Sequence, residues 1–135
     1  MSEILKTYLW IGLGSAIGGM TRFWLSGTVA TRFGELFPWN TLAVNASGSL
    51  VIGFLAAVAG VDGRLNPHWR SFAVQFLMIG ICGGFTTFSA FSLQTLKLLQ
   101  SREYLHAGGN VIASVAFCLV AVWFGFLAGH VVNRQ

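Results

Sequence analysis

Residues 71–96 read SFAVQFLMIGICGGFTTFSAFSLQTL, a run without a single charge. A helix needs about 20 predominantly apolar residues to cross the hydrocarbon core of a bilayer, so this run is long enough to span. Its middle is poor helix. Gly80-Ile81-Cys82-Gly83-Gly84-Phe85-Thr86-Thr87 sets glycines and β-branched threonines where a membrane helix should be continuous. The stretch therefore predicts a span broken near 80–87. Irregular backbone at membrane depth is tolerated only where protein buries it or where it lines a cavity, and its freed carbonyls can then meet a cation.

Working outward, uncharged runs from Leu36 to Val61 and from Ala107 to Gly129 give two more spans. The first span is less clean, because Thr7–Thr21 is uncharged but Arg22 interrupts before Phe23, Trp24 and Leu25 continue it. A cleavable signal peptide is the competing reading, with Lys6 before an apolar run and Gly14-Ser15-Ala16 as a small-residue cluster. The apolar character resumes past that cluster, and Trp10 and Trp24 are spaced as interfacial anchors about 21 Å apart, so a helix is favoured. The expected fold is an all-α integral membrane protein, a single transmembrane domain with helices over about 5–30, 38–60, 68–100 and 104–131. Pro38 and Asn66-Pro67 suit helix starts, and Asp62-Gly63-Arg64 suits a turn. At 55% hydrophobic and 9% charged in 135 residues, the chain is too apolar for a water-soluble domain.

A four-helix chain of this size is too small to enclose a pathway alone, which points to an oligomer. With a cytoplasmic N-terminus, Lys6, Arg64, Arg70 and Arg134 fall inside while Arg22, Arg32, Lys97 and Arg102 fall outside. Lys/Arg asymmetry sets insertion, so a balanced chain is expected to insert both ways and pair with its inverted copy. The net charge of +4 sits at helix ends, where lipid phosphates and insertion account for it without nucleic acid. Cys82 and Cys118 lie inside spans with no zinc-like spacing and read as packing thiols. Small residues four apart, at Gly14/Gly18, Ser49/Gly53, Gly80/Gly84 and Gly125/Gly129, read as close helix contacts.

The three uncharged spans hold no Asp or Glu, which argues against a proton-coupled or cation-binding transporter. They hold amides, hydroxyls and rings instead. Thr41 and Asn45 form a polar stripe on the second span, and Asn110, Ser114 and Cys118 another on the fourth. Such groups hold helices together, and they also offer N–H and O–H donors to an anion that must shed water without meeting a full charge. Phe85, Phe88 and Phe91 recur every third residue, with Ser89 among them, and ring edges are positive.

Taken together, Gly83-Gly84-Phe85-Thr86-Thr87-Phe88-Ser89-Ala90-Phe91-Ser92 closely resembles the signature of the bacterial fluoride channels of the Fluc, or CrcB, family. Gly18–Phe23, Pro38–Asn45 and Asn110–Ser114 match in the same order, so the resemblance covers the chain. It implies a passive fluoride channel of the bacterial inner membrane, exporting fluoride. It also implies an antiparallel, dual-topology homodimer with a sodium ion at its centre. By the same resemblance Phe88 and Phe91 correspond to paired pore phenylalanines, Asn45 to the pore-lining amide, and Arg22 to the basic residue near the vestibule. Gly83 and Thr86 correspond to the positions whose backbone carbonyls hold sodium, so that Gly83→Val is expected to straighten the helix and Thr86→Ser to be mild. Asn110, Ser114 and Cys118 match the polar track, though Asn110 stands where some members carry Tyr and Cys118 where Ser is found.

Two other classes fit in outline. A small dual-topology multidrug exporter shares the span number and charge balance but relies on a membrane-embedded Glu, and Glu3 precedes the first span. A non-transporting assembly protein explains the small residues but leaves the Gly-Thr-Phe break without a purpose. No nucleophile–base pair or metal cluster supports an enzyme.

Overall fold

The computed structural model describes residues 2–60, 63 and 65–134, which are helical with no strand among them. Helix α1 (Glu3–Phe33) starts where the Ser2 side chain accepts from the Leu5 N–H and stops at Gly34, whose φ of 74° suits glycine. Helix α2 (Trp39–Val58) follows Pro38. The third span is composite. It opens as α3 (Pro67–Phe72), capped by the Asn66 side chain on Trp69 N–H, and widens into a π-helical stretch, Ala73–Cys82. It then tightens to α4 (Gly83–Phe85), breaks, and resumes as α5 (Phe88–Gln100). Helix α6 (Tyr104–Arg134) is the fourth.

Three of these spans, Trp39–Val58, Pro67–Gln100 and Tyr104–Arg134, are long and apolar enough to cross a membrane. Helix α1 has the length, but Glu3, Lys6, Arg22 and Arg32 dilute it. Large apolar side chains such as Phe23, Leu105, Ile112 and Phe117 point outward, as lipid as solvent requires. Asp62 and Arg64 of the expected turn, and hence one cation of the charge balance, lie outside the described residues; Gly63 N–H donates to Gly60 O at 3.0 Å.

The break is narrower than the expected 80–87. Glycine permits a break without enforcing one, and Gly80, Gly83 and Gly84 are all helical. Only Thr86 (ψ 155°) and Thr87 (φ −149°, ψ 110°) are extended. The wide turn before them has no sequence signal beyond Gly80; π segments are rare and recur near functional sites.

Small residues seat the helices in two pairs. On α1, Gly14 backs onto Gly80, where an added Cβ falls 2.9 Å from the Gly80 Cα, and Gly18 faces Ile81 and Phe85. Between α2 and α6, Gly53 lies on Val122, Gly125 on Leu50 and Gly129 on Ala57 and Phe54. Backbones touch because no side chain intervenes, the form of packing that works without a hydrophobic drive between helices.

Candidate functional site

The site grows from the break. At Thr87 the backbone turns from the helical ladder to the side chain of Asn45 on α2: Thr87 N–H donates to Asn45 Oδ1 at 2.7 Å, and Asn45 Nδ2 donates to Thr87 O at 3.0 Å. The Thr87 hydroxyl then caps α5, accepting from Ala90 N–H at 3.1 Å and lying 3.2 Å from Ser89 Oγ. Arg22 Nη1, reaching from α1, stands 3.5 Å from Thr86 O.

Two clefts meet at Thr87. One, of about 410 Å³, is walled by Asn45 and Ser49 of α2, Phe88 and Phe91 of α5, and Ser114, Val115 and Cys118 of α6. Phe88 and Phe91 lie with centroids 5.2 Å apart, tilted by 49°. Phe88 is 78% exposed, so its ring stands free on the chain's surface. The other cleft, about 690 Å³, is lined by Arg22 and Ser26 of α1, Asn40 and Thr41 of α2, and Thr87, Ser89 and Gln94. Neither has an acidic residue in its lining. An aromatic, amide and hydroxyl wall on one side of Thr87 and a guanidinium on the other suit a small anion and repel none.

The sequence-derived residues thus divide. Asn45, Phe88, Phe91, Ser114 and Cys118 share the first cleft, and Arg22, Thr41 and Ser89 the second. Phe85 departs from the expected triplet: it precedes the break and packs at Gly48, because two extended residues destroy the three-residue helical register. Asn110 lines neither cleft. It is buried, with Nδ2 donating to Thr95 Oγ1 at 2.9 Å and Oδ1 accepting from Ser114 Oγ at 3.3 Å, so it ties α6 to α5. Thr87, common to both clefts, is not among the residues that the sequence pattern marks. Its signal is a threonine directly before Phe-Ser-Ala, a helix N-cap.

Gly83 is not where the chain bends. It is helical (φ −65°, ψ −37°), and a Cβ there meets nothing nearer than Met78 O at 3.9 Å. A Cβ on Gly84 falls 2.8 Å from Ser15 Cα. Gly83→Ala should therefore keep the melting temperature of the purified protein within about 2 °C, with Gly84→Ala lowering it by roughly 5 °C or more as α1 is pushed away. Equal losses would contradict this placement.

Comparison with known proteins identifies the family. Residues 9–126 match the family described as CrcB-like protein, Camphor Resistance (CrcB). A protein of Methylocella silvestris named fluoride-specific ion channel FluC is 51% identical over 128 residues, 95% of this chain and 96% of that protein. Proteins of the same name from Paramagnetospirillum magneticum and Rhodospirillum rubrum are 52% identical over 132 residues and 50% over 130, covering 96% and 95% of this chain and 100% and 98% of theirs. A match running through all four helices, the break and both clefts means that the chain belongs to the CrcB-like family.

Proposed function

We propose that this chain is a passive, fluoride-selective channel that lets fluoride leave the cytoplasm across the bacterial inner membrane, and that it is a conduit and not an enzyme. The observation that carries the reading is the first cleft, where Phe88, Phe91, Asn45 and Ser114 offer ring edges and polar groups with no full charge. Fluoride is small and strongly hydrated. Hydroxyl and amide donors replace part of its water, and the absence of a fixed cation there leaves it free to move on. Arg22 and Ser89 line the adjoining cleft, where a guanidinium raises the local anion concentration. The relatives' names support fluoride as the permeant ion.

The assembly is an antiparallel homodimer. In the single chain the first cleft is open and the Phe88 ring is exposed, which supports a reading in which an inverted copy closes the cleft and covers the ring. Sodium, when bound, would supply a positive charge for backbone oxygens to meet. Gly83 and Thr86 would hold it through backbone oxygens. They fit, because Gly83 lies in the last helical turn and Thr86 is the extended residue that ends it, where carbonyls lack intrahelical donors.

Dual insertion follows from the charge balance. C-terminal reporter fusions are expected to report both cytoplasmic and periplasmic populations, and a single orientation would rule it out. Three lysines added to one loop should fix the direction and abolish fluoride resistance, and co-expressing an oppositely biased variant should restore it. The function itself is tested in a bacterium stripped of its own fluoride exporters. Expression should restore growth in fluoride, and no protection would count against the reading.

A further inference from the structure

The break is held open by two side chains, each of which takes a backbone N–H that a continuous helix would have used elsewhere. In an α-helix the N–H of residue i closes on the carbonyl of residue i−4. Thr87 N–H therefore belongs to Gly83 O, and Ala90 N–H to Thr86 O. Instead, Thr87 N–H goes to Asn45 Oδ1 at 2.7 Å, and Ala90 N–H to Thr87 Oγ1 at 3.1 Å. The carbonyls of Gly83 and Thr86, the pair to which the sodium reading above assigns the cation, are thus deprived of their donors, as those of Gly84 and Phe85 are by the break itself.

We infer that Asn45 and Thr87 are positioning residues that create the cation site: Asn45 frees the Gly83 carbonyl, and Thr87 frees the Thr86 carbonyl. Asn45 acts from a different helix, and its second bond, Nδ2 to Thr87 O at 3.0 Å, fixes the extended residue from both sides. The same amide lies in the cleft wall with Phe88 and Phe91. A primary amide has two N–H donors, one of which remains for the cleft. Asn45 thus registers the break, the start of α5 and the phenylalanines against α2. Arg22 Nη1 at 3.5 Å takes at most one lone pair of Thr86 O, which has two.

The inference rests on the sodium reading, and its test separates the two. The full-length protein in nanodiscs is titrated with sodium against N-methylglucamine while its melting temperature is followed, and exchange of the Thr87 amide is measured by NMR. Asn45→Leu removes both bonds at similar bulk; Thr87 exchange should rise at least about tenfold, as should the sodium concentration needed for half-maximal stabilisation. Asn45→Asp keeps the acceptor for Thr87 N–H, so both readouts should stay within about threefold of the native protein while fluoride flux falls with the lost donor. Thr87→Ser should keep the native sodium requirement, and Thr87→Val should raise it at least about tenfold, because Ala90 N–H can then close on Thr86 O.

If Asn45→Leu loses flux but keeps native Thr87 exchange and sodium response, Asn45 only lines the path and the inference is overturned. A native protein indifferent to sodium overturns the cation reading and the part of this inference built on it. Thr87 exchange then decides by itself whether Asn45 clamps the break.

Discussion

Fluoride flux through Phe88→Ile or Phe91→Ile protein is expected to fall about fivefold for each single change, and roughly thirtyfold for the pair, with the purified protein still folded. Isoleucine keeps much of the bulk and all of the apolarity but removes the quadrupole, whose edge is the only positive feature these side chains offer an anion. One ring edge supplies on the order of 1 kcal/mol, and about 1.4 kcal/mol is a factor of ten in rate, so each ring has a measurable effect without making the path a trap. The change is not a folding change. Within the chain Phe88 is 78% exposed and the rings touch each other, centroids 5.2 Å apart, so α5 loses little packing, and isoleucine still offers an apolar surface to the copy that covers it. Phe88→Met should be the milder replacement, since sulfur is polarizable. Stopped-flow or electrode measurement of fluoride leaving liposomes reads the effect directly. Native flux from both isoleucine proteins would make the rings packing residues and leave only the polar wall.

Gly125→Leu is expected to yield almost no folded protein, whereas Gly12→Leu purifies normally. Both are glycines inside membrane helices, and hydropathy cannot tell them apart. An added Cβ at Gly125 collides with the backbone of Leu50 and Phe54 of α2, and nothing lies within 4 Å of one at Gly12. Backbone cannot move aside as a flexible side chain can, so α2 and α6 must separate along the seam that also holds Gly53 and Gly129. Overpacking of this kind costs about 1–3 kcal/mol where it can relax, and more where two backbones are already in contact. Recovery of monodisperse protein after size exclusion distinguishes the two substitutions, and similar yields would mean that the α2–α6 contact is not as described.

Hydropathy and periodicity carry far in this chain. The spans, the interruption in the third, the close-contact glycines and the Phe88–Phe91 pair can all be read from residue types at fixed spacing. The bounds of the break cannot. Glycine marks where a helix is free to fail, but failure happens where side chains offer the backbone another partner, and here those are Asn45 and Thr87. Asn45 is 42 residues from Thr87 in sequence. No local pattern connects them. Asn110 illustrates the same limit in reverse: its spacing to Ser114 places it on the polar stripe, yet only tertiary packing shows that Thr95 occupies its amide. The register of Phe85 was lost for a third reason, since counting by threes presumes the helix that Thr86 and Thr87 interrupt.

The direct measurement is ion efflux from liposomes containing only the purified protein, loaded with equal fluoride and chloride and diluted into medium free of both, with a potassium ionophore to relieve charge build-up. Fluoride should leave within seconds, with no ATP and no proton gradient, and chloride should stay inside. Fluoride retained as in protein-free vesicles, or chloride leaving at the same rate, would contradict a passive fluoride-selective path through these clefts.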